Sequence, residues 1–184
     1  MYYFFYIPVG TEARVRGTPW GTILLALANV GTFLFFNLAT GFEPEFYRLT
    51  LRAGEPSLVT SVTSSFLHAG WLHIVSNLVY FGILGPPIES RIGTTRFLVA
   101  YLGCAGLANL AQAAWVLGAA RDLESVPILG SSGAIAGVMG LFLVRLYFVK
   151  LRFVAVTILF LQGVAKGSRF ALPAVVAIAL WFLL

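Results

Sequence analysis

The sequence predicts an all-α membrane protein, a polytopic bundle of transmembrane helices with four full spans and the start of a fifth. Composition is the first reason, because 59% of the 184 residues are apolar, only 10% are charged and the mean hydropathy is +0.91. Soluble domains contain about 45–50% apolar and about 25% charged residues. The second reason is that long uncharged stretches alternate with short charged ones. A water-soluble domain and a disordered chain are therefore excluded.

The uncharged stretches place the spans, since a charge at the bilayer centre costs at least about 2.5–3.5 kcal/mol. Four of these stretches contain roughly 20 residues or more, enough for a helix across about 30 Å of hydrocarbon. A fifth, shorter stretch begins at Phe170. The predicted spans are residues 19–40, 66–84, 96–117, 132–148 and 170–184. No long linker divides the chain, so we expect residues 1–184 to form a single domain.

Two apolar segments are too short to span the membrane. Tyr2–Val9 carries aromatic side chains of the kind found at membrane interfaces. Phe153–Ala165 would extend only about 20 Å as a helix, and Arg152 and Lys166 bracket it. We therefore predict an interfacial or re-entrant hairpin for Phe153–Ala165.

The distribution of Lys and Arg predicts a cytoplasmic N-terminus, and we expect a multi-pass protein of a bacterial cytoplasmic membrane. With the N-terminus inside, nine of the 12 basic residues lie on the inner side and three on the outer side, as the positive-inside rule requires. The inner residues are Arg14, Arg16, Arg91, Arg96, Arg145, Lys150, Arg152, Lys166 and Arg169, and the outer ones are Arg48, Arg52 and Arg121. This bias explains the pI near 9.7, and no basic run indicates nucleic acid binding.

The sequence predicts no metal site, no cofactor and no disulfide. Cys104 is the single cysteine. His68 and His73 are five residues apart and do not converge on a helix. Zinc normally has three or four protein ligands, and these residues do not supply them.

Polar side chains inside the predicted spans are the candidate functional residues, because hydrocarbon makes them costly unless they have partners. His73 and Asn77 are four residues apart near the outer end of the second span, so they share one helical face. His68 lies roughly 140° away around that helix. We expect a different role for His68, such as a bond to the first outer loop, residues 41–65. Interhelical hydrogen bonding that only holds the bundle together explains His73 and Asn77 equally well at this point.

Gly130-Ser131-Ser132-Gly133 opens the fourth predicted span at the same membrane surface. A serine at a helix N-terminus is surrounded by backbone N–H groups that have no partner in the helix. These groups can bind a developing oxyanion. The alternative is that Ser131 or Ser132 only caps the helix. Gly133 and Gly137 form a stripe of small residues that favours close helix packing, and the sequence shows no evident partner for this stripe.

These residues resemble the motifs of the rhomboid intramembrane serine proteases. The resemblance rests on His68-x4-His73-x3-Asn77 in the second span and Gly130-x-Ser132-Gly133 at the start of the fourth. The sequence Glu89-Ser90-Arg91-Ile92-Gly93 looks like the family's Glu-x-Arg-x-Gly turn. Helix order, the long first outer loop and the cytoplasmic N-terminus also agree, and the match covers the chain from about Pro19 onward.

The resemblance implies a serine endopeptidase that cleaves transmembrane proteins inside the bilayer with a Ser–His dyad and no carboxylate. It implies that Ser132 is the nucleophile and that His73, Asn77 and the backbone N–H of Ser132 form the oxyanion hole. The first outer loop lacks the Trp-Arg pair that some members have. Structural support is implied for His68, Glu89, Arg91, Gly130, Gly133 and Gly137.

The family's general base, a histidine in a sixth helix, has no counterpart among the 184 residues, which contain two histidines near the start of the second span. A serine hydroxyl is a poor nucleophile without an adjacent base. Lys150 does not substitute, because about 18 residues of helix place it about 27 Å from Ser132. Phe170–Leu184 stops without a polar flank. We therefore expect the natural chain to continue to the base, and the 184-residue chain alone to be inactive.

Other functions are compatible with parts of this pattern. A non-catalytic rhomboid-like protein would keep the fold and the polar pocket, and would bind transmembrane clients without cleaving them. His73 could itself act as the base, although the resemblance assigns it to the oxyanion hole. A transporter is disfavoured because the polar groups cluster near one surface and no Asp, Glu, Lys or Arg lies mid-span. The expected partners are transmembrane substrates and the lipid bilayer, while the substrate and the oligomeric state stay open.

Overall fold

The computed structural model describes residues 2–40, 44–159 and 164–183. Long helices form most of this part of the chain, together with one antiparallel sheet and short helices in the first outer loop. A π-helical segment, Phe35–Thr40, continues the first helix, and a 3₁₀ turn, Ser64–Phe66, precedes the fourth. In chain order the elements are β1 (Tyr2–Thr11), α1 (Trp20–Leu34), α2 (Pro44–Leu49), α3 (Leu58–Thr63), α4 (Trp71–Ile92), α5 (Thr94–Ala119), α6 (Ser132–Leu146), β2 (Lys150–Leu159), β3 (Val164–Pro173) and α7 (Ala174–Leu183).

Three described helices are long and apolar enough to cross a membrane. They are Trp20–Leu38, which includes α1, and the whole of α4 and α5. The fourth predicted span, residues 132–148, corresponds to α6, which has 15 residues. A helix of that length reaches about 22 Å, short of the roughly 30 Å of a hydrocarbon core. The transmembrane helix bundle is therefore confirmed in outline, with three helices of spanning length in the described ranges instead of four.

Helix α4 differs from the predicted span 66–84 at both ends. It begins at Trp71, because the residues before it form the turn Ser64–Phe66 and then extended chain. It continues to Ile92 through Pro86 and Pro87. Proline lacks the N–H of the helical ladder, but transmembrane helices tolerate it where neighbours satisfy the freed backbone groups. The spacing of charged residues alone does not predict that a helix continues beyond its apolar stretch.

The expectation of an all-α fold is wrong in one respect, because the structure contains a three-stranded antiparallel sheet in the order β1-β2-β3. The N-terminal aromatic segment Tyr2–Val9 lies in β1, and Tyr2 pairs with Leu159. The segment Phe153–Ala165 contributes to β2 and β3, which pair along their full lengths. Aromatic and β-branched side chains favour strands, and an analysis of hydropathy and charge does not separate such strands from short helices.

The predicted start of the fifth span at Phe170 is also wrong. Phe170–Pro173 pairs with Lys150–Phe153 as the end of β3, and helix α7 begins at Ala174. The reason is that an uncharged run does not distinguish the last strand residues from the first helical ones.

Helix α6 lies at the centre of the bundle. It contacts α4, α5 and α7, and Val138, Met139 and Phe142 belong to the main buried core. The stripe of small residues on α6 packs against α5, since a Cβ on Gly133 would lie 2.6 Å from Ala108 Cβ. Gly137 lies equally tightly against Cys104. The close packing of α5 on α6 therefore holds the start of α6 in place.

The buried carboxylate of Glu89 connects the end of α4 to the start of α1 through hydrogen bonds. Glu89 is 3% exposed, and its Oε1 accepts hydrogen bonds from the Gly21 N–H and the Thr94 hydroxyl, both at 2.7 Å. Its Oε2 accepts from the N–H of Thr22 at 2.7 Å and from its hydroxyl at 2.8 Å. Arg91 donates to the Pro87 carbonyl at 2.8 Å and to the Arg14 carbonyl at 3.4 Å. These bonds tie the segment before α1 to the end of α4.

Candidate active site

The start of α6 presents Ser132 as an exposed residue. Ser131 occupies the N-cap position, but its side chain makes no cap hydrogen bond. The backbone N–H groups of Ser132 and Gly133 have no acceptor among the described residues. The alternative in which a serine caps this helix is therefore wrong. The free N–H groups and the positive end of the helix dipole can bind an oxygen atom of a ligand.

The neighbouring serine, Ser131, is bonded to His68. His68 Nε2 lies 3.3 Å from Ser131 Oγ, and the two residues are 1% and 3% exposed. Burial, together with the nearby ring of His73, lowers the pKa of His68 from 6.5 to about 4. His68 is therefore neutral near neutral pH. Because both side chains are buried, this Ser–His pair does not reach a substrate. The expected bond of His68 to the first outer loop is wrong, since His68 bonds to the residue that precedes α6.

His73 lies against the turn that precedes α6. Gly130 has a φ of +112°, which L side chains rarely adopt. A Cβ atom placed there would lie 2.6 Å from His73 Nε2. The rings of His73 and His68 meet edge to face with their centroids 5.0 Å apart. Glycine at position 130 thus lets the imidazole of His73 approach the backbone two residues before Ser132.

Asn77 follows one turn after His73 on α4. It is 9% exposed, and its Nδ2 has no hydrogen-bond partner among the described residues. A buried donor without a partner costs about 1–3 kcal/mol. The Nδ2 of Asn77 is therefore a buried donor that the described structure leaves unused.

Two separate cavities open on the candidate residues. His73 lines a cavity of about 560 Å³ together with Phe46, Tyr47 and Ala69. Ser132 lines a second cavity of about 410 Å³, whose other walls include Asn109 and Gln112 of α5. Pro127 and Leu129 line both cavities. The structure therefore brings His73 to the Gly130 turn, whereas no hydrogen bond joins Ser132 to His73 or to Asn77.

The first outer loop positions the segment that separates these cavities. Leu51 and Ile128 form an isolated antiparallel bridge, with N···O distances of 3.3 and 2.8 Å. Ser64 accepts from the N–H of Gly130 at 2.9 Å through its carbonyl. Asn109 donates to the Ser61 carbonyl at 2.8 Å and to Ser64 Oγ at 3.0 Å. The loop thus links α5 to the chain that leads into Ser132.

A family model for the rhomboid domain matches residues 55–184, which include α4, the Gly130 turn and all of α6. The chain belongs to the rhomboid family. This membership confirms the resemblance read from the sequence motifs, and it agrees with a membrane protein built of apolar helices.

Three curated rhomboid relatives show how much of the chain is shared. The "Putative rhomboid protease YdcA" of Bacillus subtilis is 30% identical over 148 residues, 74% of this chain and 67% of the relative. The "Rhomboid-like protein 11, chloroplastic" of Arabidopsis thaliana is 31% identical over 133 residues, 71% of this chain and 42% of the relative. The "Rhomboid-like protease 3" of Toxoplasma gondii is 35% identical over 108 residues, which are 55% of this chain and 41% of the relative. The chain matches less than half the length of the latter two.

Several residues near this rhomboid site were not found from the sequence. The motif Gly130-x-Ser132-Gly133 distinguishes Ser132 from Ser131, but no sequence signal indicates the contact of Ser131 with His68. Asn109 was detectable in principle as a polar residue within a predicted span. Phe46 lies in α2 and Ile128 in the segment before α6, and their positions depend on contacts between segments far apart in the chain.

Proposed function

We propose that this chain provides the nucleophile and the oxyanion hole of an intramembrane serine endopeptidase that cleaves transmembrane proteins. The observation that carries the proposal is the exposed Ser132 at the uncapped N-terminus of α6. An uncapped helix N-terminus is a strong site for a developing negative charge. Membership of the rhomboid family makes acyl transfer the reaction to test first.

In the proposed mechanism, Ser132 Oγ attacks the carbonyl carbon of the scissile peptide bond and loses its proton to a general base. The oxygen of the tetrahedral intermediate receives hydrogen bonds from the Ser132 N–H, from Asn77 Nδ2 and from the His73 ring. Collapse breaks the C–N bond, the leaving amine takes the proton, and water then hydrolyses the acyl-enzyme. The free Nδ2 of buried Asn77 supports its role as a donor.

The general base in this proposal is a histidine that the 184 residues do not include. Ser132 makes no hydrogen bond to either histidine in the described ranges, and His68 is already bonded to Ser131. His73 meets the Gly130 turn rather than Ser132. In this proposal the 184-residue chain by itself is inactive.

The proposed setting is a bacterial cytoplasmic membrane with the N-terminus in the cytoplasm. Arg14, Arg16 and Arg91 cluster where the segment before α1 meets the end of α4. The positive-inside rule assigns such a cluster to the cytoplasmic side. The start of α6 and its cavities then lie toward the opposite surface, where transmembrane substrates would enter from the bilayer.

A second candidate function is binding of transmembrane clients without cleavage. It is favoured by the absence of any hydrogen bond between Ser132 and a base in the described part of the chain. In this case the two cavities beside Pro127 and Leu129 would hold an unwound segment of the client.

Ser132→Ala and Ser131→Ala form a matched pair that tests the proposal. The protein expressed from its complete gene is placed in liposomes with a fluorogenic transmembrane substrate. Ser132→Ala is expected to lower kcat/KM by at least about 10³-fold. Ser131→Ala removes the same atom from a buried neighbour and should retain most of the activity. Equal cleavage by wild type and Ser132→Ala would remove Ser132 from the mechanism. Client binding without cleavage by wild type would favour the second candidate.

A further inference from the structure

The sheet carries a pair of arginines that the proposed peptidase site does not use. Register pairs Arg152 with Ala171 and Val154 with Arg169. Since side chains two residues apart on a strand share a face, both arginines lie on one face of the sheet. Phe153 and Phe170 fall on the other face and pack against the helical core. The sheet therefore has an apolar inner face and a cationic outer face.

A groove on the sheet brings the two arginines together with apolar surface. It has a volume of about 530 Å³. The residues that line it are Arg152, Arg169, Val9, Val154 and Ala171, together with Phe153 and Phe170. Both arginines are exposed. The groove thus offers two cationic heads beside aliphatic side chains.

Neither guanidinium is neutralised by a carboxylate in the described part of the chain. Arg152 Nη2 donates to the Thr11 carbonyl at 3.3 Å, and its side chain lies against Gly10. Arg169 makes no hydrogen bond there. The acid nearest in sequence to β1, Glu12, is exposed and does not line the groove. The groove has charge complementarity to an anion.

The sheet lies beside the ends of the membrane helices. Strands β2 and β3 stand between the end of α6 and the start of α7, and the carbonyl of Val149 accepts from the N–H of Ala174 at 2.8 Å. β1 contacts α4. A cationic groove at the ends of membrane-spanning helices is suited to lipid headgroups, since anionic lipids attract Lys and Arg with about 1 kcal/mol per residue.

We propose that the groove binds the phosphate of an anionic phospholipid. The guanidinium groups of Arg152 and Arg169 bind phosphate oxygens, for which the planar donor geometry of arginine is suited. Val9, Val154 and Ala171 contact the apolar part of the same lipid. This site is independent of the proposed peptidase activity, because it lies on the sheet and not at α6.

Lipid binding is measured by native mass spectrometry of the detergent-solubilised full chain titrated with dioleoyl phosphatidylglycerol. Arg152→Gln/Arg169→Gln should weaken binding by about 10–30-fold, since two surface cations are lost. Arg152→Lys/Arg169→Lys should retain most of it. The charge-matched control, Arg48→Gln/Arg121→Gln, removes two cations outside the groove and should leave affinity within about 3-fold. Arg169 makes no hydrogen bond within the described ranges. If the double variant does not fold, Arg169→Gln alone replaces it, with an expected weakening of binding of about 5-fold.

The proposal is overturned if the groove variants bind phosphatidylglycerol like wild type, or if the control pair weakens it equally. Equal affinity for dioleoyl phosphatidylcholine would also overturn it, since charge would then not select the lipid. Glycerol phosphate at the same concentrations should neither bind nor compete, and full competition would identify a site for soluble phosphates instead. A dimer that Arg169→Gln abolishes would identify the face as a protein interface.

Discussion

His73 and Gly130 are in direct contact, and the His73 imidazole occupies the space into which any side chain at position 130 would extend. The distance from His73 Nε2 to a Cβ built on Gly130 is 2.6 Å. The backbone at Gly130 also has a positive φ of +112°. Two independent constraints therefore require glycine here, and both act two residues before Ser132.

Gly130→Ala should displace His73 and distort the start of α6. The strained φ costs about 1–2 kcal/mol, and the added methyl group collides with the ring. We expect cleavage by the complete protein to fall by at least about 10-fold if His73 donates to the oxyanion, as measured with a fluorogenic transmembrane substrate. Gly140→Ala is the control, because that helical glycine has no neighbour within 4 Å of an added Cβ. Equal losses in both variants would contradict the role of the His73 contact.

Asn77→Ala separates an oxyanion role from a packing role. An oxyanion-hole donor contributes about 10²–10³-fold to kcat. The Nδ2 of Asn77 has no partner in the described structure, so its removal breaks no hydrogen bond of that donor. We expect kcat to fall by that factor while the thermal unfolding temperature in detergent changes little, and His73→Ala to behave similarly. A large loss of stability with unchanged kcat would instead identify Asn77 as a structural residue.

Glu89→Gln should destabilise the bundle without affecting the site directly. The carboxylate accepts four hydrogen bonds that fasten α1 and Thr94 to the end of α4. Glutamine keeps one acceptor oxygen, and hydrogen bonds to charged groups contribute about 1.5–3 kcal/mol each. We expect a loss of about 2–4 kcal/mol, visible as a lower unfolding temperature in detergent. Glu12→Gln, at an exposed residue, serves as the control. A similar decrease in unfolding temperature in both variants would contradict the proposed role of the Glu89 hydrogen bonds.

Much of the helical framework was predictable because charges mark the ends of apolar helices. The spans 19–40 and 96–117 lie within a few residues of Trp20–Leu38 and α5. The motifs around His73 and Gly130 also indicate the rhomboid family, to which the chain belongs. These features depend on local composition and on short spacings, which a single sequence contains.

The sheet and the contact between His68 and Ser131 were not predictable in this way. β1 pairs with β2 about 150 residues further along the chain, and such pairing leaves no local signal. Ser131 is buried in contact with His68, whereas the adjacent Ser132 is exposed. Tertiary contacts of this kind decide which of two identical neighbours is accessible.

The pH dependence of stability should report the burial of His68. Its pKa is lowered in the folded protein from 6.5 to about 4, so the unfolded chain binds the additional proton first as the pH falls. This contribution to stability is complete above about pH 6.5 and is lost progressively as the pH falls toward the lowered pKa. We expect wild type to lose up to about 3 kcal/mol over that range from this residue, measured by thermal unfolding in detergent.

His68→Gln should lose less stability over the same pH range. The other titratable group facing His68 is His73, with ring centroids 5.0 Å apart, and His73→Gln should keep most of the wild-type pH dependence. If His68→Gln and wild type lose stability in parallel, the protonation of His68 is not the cause.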